Sequence, residues 1–73
     1  MTNASAVSRM INKELGKHLA RVMDITYAAD QRKVVIVECY SDTIFRHVES
    51  LLASKGLAPS HWAGNSRVLE VAR

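Results

Sequence analysis

The run Val34, Val35, Ile36 and Val37 is the longest uninterrupted aliphatic stretch in the chain, and it constrains the fold more than any other feature. Side chains along a strand alternate between its faces, so consecutive branched residues make a strand that is apolar on both sides and needs cover on both. All of that cover has to come from 73 residues. A chain of this size buries only about 60% of the surface it exposes when unfolded, so one domain spanning residues 1–73 is expected. The run is also far shorter than the roughly 20 apolar residues that cross a bilayer, and no membrane contact is expected. Apolar and charged fractions of 48% and 23% are those of an ordinary folded domain.

Around that strand the pattern predicts an α+β domain with two helices packed on a three-stranded sheet, in the order α-β-β-α-β. Ser5 or Ser8 caps a first helix that runs to about Val22. Val7, Ile11, Leu15, Leu19 and Val22 fall within an arc of about 120° at 100° per residue, with Met10 at its border. Gly16, in its middle, marks a close approach to another backbone. Asp24 to Ala29 and Lys33 to Tyr40 read as a β-hairpin, because Ile25 and Tyr27 alternate with smaller or polar residues and the second segment is rich in β-branched ones.

Ser41 or Asp42 caps a second helix, with Ile44, Phe45, Val48, Leu51 and Leu52 on one side. Gly56 suits the left-handed position after its end, Leu57 the hydrophobic partner of a Schellman cap, and Pro59 forbids continuation. Arg67 to Ala72 forms the last strand. A strand-helix-strand unit predicts parallel strands with a right-handed crossover, and the last strand beside the second makes the second central. The alternative puts the first strand in the middle, as a split βαβ unit.

The charge is unevenly placed. Ten Lys and Arg stand against seven Asp and Glu, a net charge of +3. Residues 1–22 hold Arg9, Lys13, Lys17 and Arg21 against Glu14 alone, which accounts for the whole excess. On a helix these four cations, spaced every four residues, form a continuous ridge away from the apolar arc. The segment lacks the apolar core of a secretory signal and is read as part of the fold.

Several chemistries find little support. Cys39 is the one cysteine, so no intramolecular disulfide is available, and a cytoplasmic setting is expected. His18, His47 and His61 are not spaced to serve Cys39 as a base or to form a metal site, and no cofactor is expected. The carboxylates are spread singly, and Gly16, Gly56 and Gly64 build no phosphate-cradling loop. No enzyme activity is expected. The last third, a helix, Gly56-Leu57, a polar loop and a strand, is similar in layout to the end of the small single-strand-binding domains named for an Arg-x-x-x-His signature. That signature is missing here, where Arg46 is followed by Glu49 and Ser50, so no residue role is transferred.

The expected function is binding. Nucleic acid is the first partner class, contacted by Arg9, Lys13, Lys17 and Arg21, with Trp62 and Arg67 as additions: cations neutralise phosphates and an aromatic ring stacks on a base. The alternative is a protein-interaction factor, such as a phage-type or mobile-element inhibitor or adaptor, that docks on an acidic protein surface. Trp62 also has a structural reading, closing the end of the core over the second helix. With two short helices to cover a doubly apolar strand, one sheet face or edge is left for a second copy, and a homodimer is expected.

Overall fold

The computed structural model describes residues 2–62 and 64–73. Its elements are α1 (Ala4–Glu14), β1 (Ala20–Thr26), β2 (Lys33–Cys39), α2 (Asp42–Ser54), β3 (Ser60–His61) and β4 (Val68–Ala72). The class is α+β, as the pattern predicts, but the sheet has four strands, in the order β1-β2-β4-β3. The added strand is β3, too short and polar to carry a hydrophobic pattern.

β2 is central, with β1 and β4 as its neighbours. β4 runs antiparallel to β2, which corrects the expected parallel crossover. The chain leaving α2 returns along β3 at the far edge, reverses, and inserts β4 antiparallel to both β3 and β2. The strand-helix-strand rule therefore stops at β3, which runs in the same sense as β2 without touching it.

The first helix is shorter than its periodicity implies. Asn3, and not Ser5 or Ser8, is the N-cap, its side chain accepting the Ala6 amide at 2.8 Å. The helix ends at Glu14 because Gly16 and His18 take positive φ, 133° and 62°, a left-handed turn that sends the chain into β1. A Cβ at Gly16 would meet only the Leu19 Cδ1 at 3.7 Å, so the position needs glycine for its backbone angle rather than for a close approach. α2 fits its expected caps. The Ser41 hydroxyl accepts the Ile44 amide at 3.1 Å. At the other end Gly56 has φ 77°, and the Gly56 and Leu57 amides reach the Ala53 and Leu52 carbonyls, a Schellman motif.

Both helices lie on one face of the sheet. Val7 and Ile11 of α1 and Phe45, Val48 and Leu52 of α2 are buried with Val35, Val37, Cys39, Leu69 and Val71. On the opposite face Val34, Ile36 and Val68 are just as buried, with Met23, Ile25 and Tyr27 packed against them. No helix covers that face. Its roof is a side-chain network: the Tyr27 hydroxyl donates to Glu70 and accepts from the Trp62 indole at 3.2 Å, while Arg32 lies over the Tyr27 ring at 4.8 Å and reaches Glu70 at 3.5 Å.

The roof sets a stability prediction. Tyr27→Phe removes both hydrogen bonds of the hydroxyl and should cost about 1 kcal/mol, with a shift in Trp62 fluorescence. Leu52→Ala, in the helix-covered core, should cost about 2–5 kcal/mol. Chemical denaturation followed by fluorescence checks both.

Candidate interaction surface

The four N-terminal cations share no single helix, which corrects the expected ridge. Arg9 and Lys13 project from α1, Lys17 sits in the turn after it, and Arg21 stands on β1. All four side chains are exposed. Arg21 belongs to the helix-free face, opposite Glu38 in the β1–β2 register. The even spacing in sequence spans a helix, a turn and a strand, and only Arg9 and Lys13 keep helical geometry.

What the four share is the lack of an anionic partner. Ion pairs engage Glu14 with Lys55, Asp24 with Arg73, Asp30 and Glu70 with Arg32, and Asp42 with Arg67, while Glu49 is hydrogen-bonded to the His61 ring. Glu38 is the carboxylate left over. Among the described residues Arg9, Lys13, Lys17 and Arg21 make no ion pair, and neither do Lys33 and Arg46. Six of the seven carboxylates are thus engaged by other side chains, and of the four cations only Arg21 has a carboxylate, Glu38, opposite it in the register.

Arg67 and Trp62 are differently placed. The Arg67 Nε donates to Asp42 at 3.0 Å, tying the start of β4 to the first turn of α2. Trp62 follows β3, its amide bonded to the Val68 carbonyl and its indole to Tyr27. It is 39% exposed and adjoins the roof of the helix-free face, which corrects the reading that sets it over α2. His61 takes the place over α2, its ring meeting Phe45 edge-on at 5.2 Å beside Glu49. Nothing in the local sequence separates these neighbours except that they are consecutive, His61 ending β3 and Trp62 following it.

Beside Arg9 an open groove of about 570 Å³ runs between α1 and β1, lined by Ala4, Ser5, Ser8, Arg9 and Val22. The α1 N-terminus is anchored at its end, where the Asp24 carboxylate accepts the Ala4 amide at 2.9 Å. That anchor was not legible as an interaction, since from sequence Asp24 only opens the first segment of the hairpin, twenty residues away from Ala4. Among the described residues no group of three or more His, Cys, Asp or Glu side chains is placed to hold a metal ion, and no helix is long and apolar enough to cross a membrane.

Cys39 is 3% exposed in the helix-covered core, and burial raises its thiol from 9.0 to about 11. A raised acid is neutral at ordinary pH, the opposite of an activated nucleophile. Because the unfolded thiol ionises first, its contribution to stability is intact below pH 9 and is lost as pH rises through about 11. Denaturation at pH 8 and pH 10 should show the wild type losing stability relative to Cys39→Ala, and thiol reagents should label Cys39 only on unfolding. Cys39→Ala should keep any binding activity. No family model matches the chain, and no curated protein or solved structure shows significant similarity to it.

Proposed function

We propose that this chain is a non-enzymatic binding protein, in a cytoplasmic setting, that engages nucleic acid through Arg9, Lys13, Lys17 and Arg21. The observation that carries the reading is the charge distribution: six of the seven carboxylates are engaged by other side chains, and Arg9, Lys13, Lys17 and Arg21 are exposed and make no ion pair among the described residues, so their field reaches solvent. A phosphate backbone is the anion that such dispersed cations meet most readily, because each one neutralises a phosphate and releases a condensed counterion. Arg67 is held by Asp42 and Trp62 by Tyr27, so both are secondary in this reading.

A second reading, docking on an acidic protein surface as an inhibitor or adaptor would, is favoured by one feature. With only Arg9 and Lys13 on α1, the helix brings few cations to a DNA major groove, whereas a broad acidic surface meets helix, turn and strand together.

Titration of random-sequence DNA and RNA at two salt concentrations separates the readings. If all four cations contact phosphates, log affinity should fall with log salt at a slope of about −3 to −4. Lys13→Glu with Lys17→Glu should weaken binding at least tenfold, flatten the slope and leave the melting temperature nearly unchanged, since exposed charge changes cost little. Unchanged binding by the folded double mutant would sink the nucleic-acid reading. No nucleic-acid binding at low salt would favour the acidic protein.

A further inference from the structure

We propose that the free edge of β1 binds a second copy of this chain, joining two sheets into one about a two-fold axis at Met23. β1 is the longer of the two edge strands of the sheet and is paired on one side only. The Tyr27 amide bonds to Arg32 and the Tyr40 amide to Leu19, so the odd-numbered residues of β1 direct their backbone groups at β2. By the alternation of an antiparallel ladder, Ala20, Val22, Asp24 and Thr26 direct theirs outward. These form a row of unpaired donors and acceptors, the template on which another strand adds.

The edge is complementary to itself. β1 spans Ala20–Thr26, with Met23 at its centre. Antiparallel pairing about Met23 sets Ala20 against the partner's Thr26 and Val22 against the partner's Asp24, and the reverse, so every outward backbone group on both strands finds a bond. Met23 then faces the partner's Met23 on the helix-free side. The cluster of Val34, Ile36, Met23 and Ile25 on that side continues across the axis into its copy. One chain alone leaves Met23 and Ile25 half-buried at the rim.

Charge permits this occupant. Arg21 falls opposite the partner's Ile25, which puts the two Arg21 residues four positions apart, roughly 13 Å along the strand. That exceeds the Debye length of about 8 Å at physiological salt. The Asp24 carboxylate is already held by the Ala4 amide and Arg73. α1 leaves the open groove beside the edge rather than covering it. A small chain with neither a disulfide nor a metal cluster among its described residues also gains stability from added buried surface.

The test uses sedimentation of the full chain across concentration and salt, together with disulfide cross-linking in a Cys39→Ala background. The expected mass is twice 8.1 kDa at micromolar concentration, unchanged or favoured as salt rises, because screening relieves repulsion between like-charged copies. Nucleic-acid binding has the opposite salt response, so the two proposals fail separately. Met23→Cys should oxidise to a covalent dimer, since facing residues of a non-hydrogen-bonded pair lie about 4.5 Å apart at Cα. Ile25→Cys should not. The circular dichroism of each variant verifies folding, and the wild-type mass stands as a readout of its own. A single-chain mass up to high micromolar concentration overturns the dimer, and equal cross-linking through Ile25 overturns the register. A monomer that instead captures an acidic extended peptide at this edge assigns the edge to another partner and also overturns the proposal.

Discussion

Everything in this fold is arranged around the need to dry both faces of β2. Val35 and Val37 face the helices, and Val34 and Ile36 face away, each at 2% exposure or less. Full burial of such a side chain is worth about 1.5–3 kcal/mol, so leaving Val34 and Ile36 wet would forfeit a large part of the roughly 5–15 kcal/mol that holds a domain folded. The described residues form two helices, and both lie on one side. The other side is therefore dried by long side chains from strand ends, loops and the middle of β4. Tyr27, Arg32, Glu70 and Trp62 are individually polar, yet tied together they form a lid over the aliphatic cluster. A tyrosine suits this role because its ring covers apolar surface while its hydroxyl stays hydrogen-bonded.

The elements that were legible in the sequence are those whose signals are local. β2 announces itself by composition, and α2 by Ser41 at one end and Gly56-Leu57 at the other; the caps satisfy backbone groups within a few residues, so no distant partner is needed to recognise them. α1 misleads because two periods overlap. Leu15, Leu19 and Val22 continue a helical stripe, but Ala20 and Val22 also alternate as a strand that packs on the helix-covered core. Tertiary pairing of Ala20–Thr26 with β2 decides between them. Gly16 was the stop signal available, and its positive φ is what makes it one. β3 has no such signal. Ser60 and His61 form a strand only because β4 lies beside them, and the direction of β4 depended on that unseen strand.

The same limit governs the candidate surface. Charge excess is additive and survives any folding, so its confinement to the N-terminal segment was legible. The shape of the basic surface was not, because it depends on where α1 stops. Lys17 and Arg21 moved from a helix face to a turn and a strand when the helix ended at Glu14.

The pairing of the carboxylates explains why that surface stays positive. Glu14 with Lys55 links the two helices, Asp24 with Arg73 links β1 to the chain end, and Asp42 with Arg67 links α2 to the start of β4. Asp42 also lies in the first turn of α2, where a negative charge favours the helix dipole. Exposed pairs of this kind are each worth about 0–1 kcal/mol, a small share of stability beside the buried strand. Their larger effect is on the field: the carboxylates they engage are drawn to other partners, and even Glu14, beside Lys13 in sequence, is held by Lys55. Stability resides in burial and the external field in uncompensated charge, so the two depend on separate residues. The N-terminal cations are therefore free to vary, or to be screened by salt, without loosening the sheet that presents them.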